Sequence, residues 1–404
     1  MPSPPLFARP PFPVSPDGAL SQFRIAVPED DVQRLKTLLE LLPIARPNWE
    51  NGHNDRVFGT PRDWLADSVE YWKNTFDWRR QEETLNTIPQ FKAEVTDDDG
   101  QRYSIHFAAL FSENKDAVPL LLSHGWPGSI VEFMPILLKL RQKYASAPEK
   151  LPYHVVVPSL VGFGFSSPPP LDKDFTILDI ARIFNKMMVA LGFGERGYIT
   201  QGGDLGGPIA ETLAALYDPV KAVHLNVYLM MSEPPKVTFS DPMEEQAVER
   251  GNKFRATGIA YGMVHATRPS TAGLALGSSP IALLAWIGEK MVEWSDPAST
   301  PSLDTILTNV SIYWFTGTYP TSIWCYRALL GGPRATGGHL NGGKPKAFSW
   351  FPNEIAPPPK EIVRADKAVT HFYEHDKGGH FAALEVPGVL WADVEDFVSK
   401  VWKD

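Results

Sequence analysis

The stretch that most constrains this chain is Gln201-Gly202-Gly203-Asp204-Leu205-Gly206-Gly207-Pro208, in which four glycines fence one acidic residue. Tyr198-Ile199-Thr200 before it is a short β-prone run, and residues 209 to 217 after it follow an Ala- and Leu-rich helical pattern. The segment reads as strand, sharp turn, helix. A side chain at the tip of such a turn is forced out at the carboxyl edge of a sheet. Its backbone is strained toward the left-handed region, and Gly202 and Gly206 leave room for neighbouring backbone to pass. Two readings follow. In one, the carboxylate of Asp204 is a nucleophile suited to in-line displacement at an alkyl carbon, leaving an ester on the protein. In the other, the turn is ordinary and Asp204 caps the next helix.

The chain has 404 residues, enough for one large α/β unit with insertions or for two domains. Lys+Arg 38 against Asp+Glu 47 gives a net charge of −9, which argues against a nucleic-acid partner. The single cysteine, Cys325, has no partner for an internal disulfide, which fits a reducing compartment. The proline-rich residues 1 to 15 lack the apolar run of a signal peptide or anchor, and the longest apolar stretch elsewhere, residues 280 to 287, is too short to span a bilayer. The expectation is a soluble, cytoplasmic protein without a membrane anchor.

Residues 1 to about 20 are expected to run extended over the surface. Phe23-Arg24-Ile25 alternates like a strand, and Pro28 then opens a helix with Val32, Leu35, Leu38, Leu39 and Leu42 on one face. Tyr71-Trp72 and Phe76-Asp77-Trp78-Arg79-Arg80 form an aromatic cluster that suits packing of an appendage on a core. Residues 91 to 95 and 103 to 111 alternate as a hairpin around Asp97-Asp98-Asp99-Gly100. Apolar runs at 118 to 122, 153 to 157, 198 to 200 and 222 to 229 then alternate with helical patterns, one of them capped by Thr176, which predicts a parallel sheet. After Glu233 the alternation stops: residues 236 to 330 read as helical, with 281 to 294 the strongest segment. Strand signals return at 346 to 351 and 368 to 373, and residues 393 to 402 close the chain as a packed helix. A helical insertion between strands is expected to cap the carboxyl edge. Gly192-Phe193-Gly194-Glu195-Arg196-Gly197 has the letters of a dinucleotide-binding loop but ends a helix and enters a strand, the reverse of the required context.

The Asp204 turn resembles the nucleophile elbow of the α/β-hydrolase fold, with Asp in place of serine. In that fold the loop after the third strand supplies an N–H to an oxyanion hole, paired with the N–H of the residue after the nucleophile. Here the donors are Trp126, in His124-Gly125-Trp126-Pro127-Gly128, and Leu205. The chain order nucleophile, acid, histidine asks for a late histidine, and Gly378-Gly379-His380-Phe381 provides His380 ahead of His371 and His375. Those two suggest metal ligation by spacing, but no third ligand motif accompanies them. The acid is expected after the strand at 346 to 351, with Glu354 first and Glu361, Asp366, Asp376 and Glu233 as alternatives.

Taken together the motifs resemble the microsomal and juvenile-hormone type epoxide hydrolases, and their soluble fungal members in particular. The likeness runs through the aromatic appendage, His124-Gly125-Trp126-Pro127-Gly128-Ser129, Gly162-Phe163-Gly164-Phe165-Ser166, Gly203-Asp204-Leu205-Gly206 and Gly379-His380-Phe381-Ala382-Ala383-Leu384-Glu385. It implies a mostly parallel, eight-stranded sheet flanked by helices. It divides the chain into an appendage (1–90), core (91–235), helical cap (236–330) and returning core (331–404). It implies attack by Asp204 on an epoxide carbon, two cap tyrosines, Tyr261 and Tyr326, that protonate the ring oxygen, a cis peptide at Trp126-Pro127, and Glu354 as the acid. It implies no metal or organic cofactor and a small-molecule epoxide as partner, and it admits a homodimer built through the cap. A haloalkane dehalogenase shares the Asp elbow but needs halide-binding N–H donors; a binding module of the same fold would have lost the triad.

Overall fold

The structure, a computed structural model, describes residues 6–14, 19–228, 238–331 and 342–403. Among the described residues nine strands form one sheet: β1 (Leu20–Phe23), β2 (Gln90–Thr96), β3 (Arg102–Leu110), β4 (Val118–Ser123), β5 (Tyr153–Pro158), β6 (Tyr198–Gly202), β7 (Val220–Leu225), β8 (Lys346–Trp350) and β9 (Val369–Glu374). Their order is β1-β2-β3-β5-β4-β6-β7-β8-β9. The leading pairs β1·β2, β2·β3 and β3·β5 are antiparallel, and all later pairs are parallel. The expected hairpin is present, with β2 and β3 in register from Gln90↔Ala108 to Thr96↔Arg102. The nine strands match in number the strand segments read along the chain and exceed by one the eight that the resemblance implied; the segment read as a strand at 23 to 25 pairs three residues earlier, as β1 on the edge of β2. Ile25 lies past that strand and is buried, so a packed connector mimicked the alternation.

Every residue of β5 and β6 is buried, as expected where helices cover both faces of parallel strands. The helix Ile177–Met188 starts where Thr176 and Asp179 form a reciprocal capping box, and buries Ile180, Phe184, Met187 and Met188. The helix expected at 393 to 402 is longer, Pro387–Val401, because Pro387 occupies the first turn, where its missing N–H costs nothing. Proline-rich residues 6–14 are less surface-bound than expected. Phe7 and Ala8 are buried, and the Phe7 carbonyl accepts from Phe111 N–H at 2.9 Å.

Between β7 and β8 the described chain is helical: Pro242–Lys253, Ala260–Thr267, Pro269–Gly277, Pro280–Glu293, Leu303–Thr316 and Tyr319–Ser322. Ser279 caps the strongest of these, accepting from Ala282 N–H at 3.2 Å. Among the described residues no single helix is long and apolar enough to cross a membrane; the one pair that passes together, Pro269–Gly277 and Pro280–Glu293, is bent by 115°. Leu229 and Glu233 lie outside the described residues.

Candidate active site

β4, β6, β8 and β9 run parallel, so the loops leaving their carboxyl ends gather on one edge of the sheet. The loop after β4 carries Trp126, the turn after β6 Asp204, the loop after β8 Glu354 and the loop after β9 His380.

Asp204 has φ 46°, one of few non-glycine residues in the left-handed region, which costs on the order of 1 kcal/mol. The turn fits because its flanks are bare: a Cβ on Gly202 would strike the Gly206 carbonyl, and one on Gly206 the Ser123 carbonyl. The helix Gly206–Leu216 that follows has Leu205 at its cap position and no side-chain cap bond. Asp204 therefore does not cap it. Its Oδ1 instead accepts the Trp126 N–H at 2.8 Å, and a Cβ on Gly125 would collide with the same carboxylate. The Trp126-Pro127 peptide is cis.

The helix Leu303–Thr316 props this loop from the other side. Asn309 Nδ2 donates to the Pro127 carbonyl at 2.7 Å, Ser129 Oγ to Asn309 Oδ1 at 2.7 Å, and Tyr313 OH to the Gly128 carbonyl at 2.9 Å. His124 belongs to the scaffold. Its Nε2 accepts from Leu160 N–H at 3.3 Å, so Nδ1 carries the proton and donates to the Gly125 carbonyl at 3.0 Å. Burial pushes its pKa down to about 4, and it stays neutral.

His380 stands between two carboxylates. Nδ1 is 2.7 Å from Glu354 Oε1, and Nε2 is 3.2 Å from Asp204 Oδ2. The second contact is an ion-pair approach without hydrogen-bond alignment, and Nε2 keeps no hydrogen-bond partner. Burial alone would depress this imidazole, but Glu354 and Asp204 together hold it well above its usual value. Glu354 is fixed in turn: its Oε1 also accepts from Ile355 N–H at 2.7 Å, and Asn353 N–H donates to the Gly378 carbonyl at 3.1 Å, joining the acid loop to the histidine loop.

Facing Asp204 are two buried phenols. Tyr326 OH donates to Tyr261 OH at 3.2 Å, and Trp126 stacks on Tyr261 with centroids 5.2 Å apart and planes at 12°. Burial, and behind it the Asp204 charge, push both phenols well above their usual pKa, so they remain proton donors. A cavity of about 280 Å³ joins Asp204, His380, Glu354, Tyr261 and Tyr326, and its other walls include Phe254, Ile259, Met263, Leu330 and Ile355.

All seven residues singled out in the sequence thus lie at this edge; Leu205 lines the cavity and its helix starts there. The rivals lie elsewhere. His375 pairs with Asp393 at 2.6 Å, His371 is within β9, and Glu361 and Asp366 belong to the helix Lys360–Ala365 and its end. Asp376 has no contact with His380 in the structure's hydrogen bonds, and among the described residues no three His, Cys, Asp or Glu side chains are placed to hold a metal ion. Trp294 was not foreseen. Its indole meets the His380 ring edge-on at 5.1 Å, and its carbonyl accepts the His380 N–H at 3.0 Å. Its place as last residue of a strong helical pattern was the only sign available. Glu132 was also unforeseen, a carboxyl that burial and the Asp204 charge push up to about 8.

The family described as "Epoxide hydrolase N terminus" matches residues 20–133, and the "alpha/beta hydrolase fold" family matches residues 118–258. A putative epoxide hydrolase of Dothistroma septosporum is 40% identical over 94% of this chain and 89% of its own. Epoxide hydrolase 1 of Sus scrofa is 31% identical over 95% of this chain and 89% of its own. The solved structure of the Aspergillus niger epoxide hydrolase superposes with a TM-score of 0.89 at 44% identity, covering 98% of this chain and all of that one (100%).

Proposed function

The chain belongs to the epoxide hydrolase family on the α/β-hydrolase fold, an enzyme of small-molecule epoxides, and from that premise we propose a route through an ester on Asp204 to a vicinal diol. Asp204 Oδ2 attacks one epoxide carbon and the carbon–oxygen bond opens. The ring oxygen takes a proton from the Tyr261 and Tyr326 pair, leaving a hydroxyalkyl ester. Oδ1, already bonded to the Trp126 N–H, stays as the ester carbonyl oxygen.

Alkylation removes one of the two charges that hold His380 high. The imidazole then takes a proton from water through Nε2, with Glu354 on Nδ1 to stabilise the imidazolium. Hydroxide adds to the carbonyl, and the oxyanion accepts from the N–H groups of Trp126 and Leu205. Collapse releases the diol, restores the carboxylate and returns a proton to the tyrosine pair. The observation that carries this reading is the Asp204 carboxylate held between the Trp126 N–H and His380 Nε2 and opening onto one cavity with both phenols.

Dehalogenation shares the Asp elbow but calls for N–H donors to a halide. Among the described residues the cavity wall carries phenols and no tryptophan, which favours epoxide opening. Diol formation from styrene oxide by the protein and by its Asp204→Ala variant tests the reading; equal activity in both would contradict it.

A cytoplasmic, soluble enzyme is part of the same reading, supported by the free, buried Cys325. So is a homodimer through the cap, supported by Met263, Val264 and Leu274, which the cap helices leave exposed. Mass measured by light scattering tests the dimer.

A further inference from the structure

The run Gly379-His380-Phe381-Ala382-Ala383-Leu384-Glu385 ends in a carboxylate that the route above does not use. Glu385 lies one helical turn beyond His380 and folds back on it. Its Oε1 accepts from Phe381 N–H at 2.8 Å, and its Oε2 accepts from Gly379 N–H at 2.9 Å. One carboxylate therefore holds the main chain on both sides of His380.

The same Oε2 accepts from Asp296 N–H at 2.7 Å and from Ser299 Oγ at 3.4 Å. Asp296 Oδ2 accepts from Gly378 N–H at 2.8 Å, and the Trp294 carbonyl takes the His380 N–H. Four consecutive N–H groups, Gly378 to Phe381, are thus all bound, two to Glu385 and two to the segment leaving the helix Pro280–Glu293. Glu354 fixes only one point of the imidazole, Nδ1. A ring held at one nitrogen still swings with its own backbone. The direction of Nε2 depends on where that backbone is.

We propose that Glu385 is a positioning residue for His380: by binding the N–H groups on either side, it fixes the base so that Nε2 faces the carbonyl of the ester formed on Asp204. The two oxygens of one buried carboxyl suit two diverging N–H donors, and when ionised it binds them about twice as strongly as a neutral acceptor would. The proposal rests on the ester route, and it concerns the second step alone. Alkylation needs Asp204 and the tyrosines, none of which Glu385 contacts in these hydrogen bonds.

Glu385→Gln keeps the shape but turns an NH₂ toward an N–H donor, and Glu385→Asp keeps the charge with a shorter reach. Rapid quenching of each protein after mixing with styrene oxide, followed by intact mass, gives the rates of ester formation and loss. Only molecules that form ester are counted, so unfolded protein does not enter the ratio. In Glu385→Gln the ester is expected to decay about 10- to 100-fold more slowly while forming within about 3-fold of the parent rate, so that it accumulates. Glu385→Asp is expected to fall between. If both steps slow by the same factor, or neither changes in either variant, the positioning role is overturned. Absence of an Asp204-dependent mass gain in the parent protein would overturn the ester route itself, and the proposal with it.

Discussion

The Trp126 N–H donates to Oδ1 of Asp204 at 2.8 Å, so the proposed nucleophile rests on the donor that the proposed ester would need. In the proposed route the same bond holds a carboxylate, then an ester carbonyl, then an oxyanion, and it gains most when the charge is concentrated on that one oxygen. With Oδ1 so engaged, the proposed route alkylates Oδ2, which lies 3.2 Å from His380 Nε2.

In the proposed route the two phenols, Tyr261 and Tyr326, act in the first step. Tyr261→Phe and Tyr326→Phe are each expected to slow ester formation about 10-fold or more, and the double variant about 10²- to 10⁴-fold, with ester hydrolysis unchanged. Single-turnover quenching separates the two rates. Loss of hydrolysis with intact alkylation would reverse the assignment.

In the proposed route Glu354, bonded to His380 Nδ1, acts in the second step. Glu354→Gln replaces the acceptor of that N–H with an amide and is expected to slow ester hydrolysis about 10²- to 10⁴-fold, leaving ester on the protein. Intact mass during turnover reads it directly. A variant that hydrolyses at the parent rate would remove Glu354 from the triad.

His380 carries a pH signature. Two carboxylates raise it in the resting protein, and one of them is neutralised in the ester. Hydrolysis requires the neutral imidazole, so its rate should rise with pH through a midpoint below the resting titration of His380 followed by NMR. Equal midpoints would mean that Asp204 keeps its charge during the cycle.

Stability has its own pH dependence. Burial lowers His106 and His265 to about 3 and His124, His154 and His224 to about 4. Each is neutral when folded and takes a proton on unfolding below about 6.5, so each lowers stability as pH falls through that value. Glu132, near 8, and Glu293 and Glu385, near 7, are raised by burial and act in the opposite sense between about 7 and 4.5, where only the folded protein holds their protons. The five histidines outnumber the three carboxyls. Thermal midpoints should therefore fall from pH 6.5 to 5, and His224→Gln should flatten that fall; a rise would contradict the burial of these rings.

The loop that carries Trp126 depends on Asn309, which serves both Pro127 and Ser129. Asn309→Ala leaves both without that partner and is expected to cost about 1–3 kcal/mol, measured by urea unfolding. Both chemical steps should slow together, because the Trp126 N–H serves both.

What the sequence made legible was local or strongly patterned. Thr176 lies three residues before Asp179 and a strong apolar face, so the capping box could be read directly. The glycines around Asp204 declared a turn, and two of them, Gly202 and Gly206, stand where a Cβ would strike neighbouring backbone. Phe23-Arg24-Ile25 misled because alternation reports burial, and the buried Ile25 sits in a connector while the ladder ends at Phe23. Tyr261 and Tyr326 were reached through resemblance, since their meeting at 3.2 Å joins helices 65 residues apart and no spacing encodes it. Trp294 shares that difficulty, since it meets the His380 backbone across the fold. Glu385 lies only five residues past His380, and its bonds to Gly379 and Phe381 are local.

The ester on Asp204 distinguishes the proposed route from direct attack by water. A single turnover in heavy-oxygen water, with protein in excess over styrene oxide, puts the label on one of two molecules. The ester route gives a first-turnover diol free of label and a peptide containing Asp204 that carries one heavy oxygen. Label in the diol, with Asp204 unlabelled, would mean that water attacks the epoxide directly and would contradict the account.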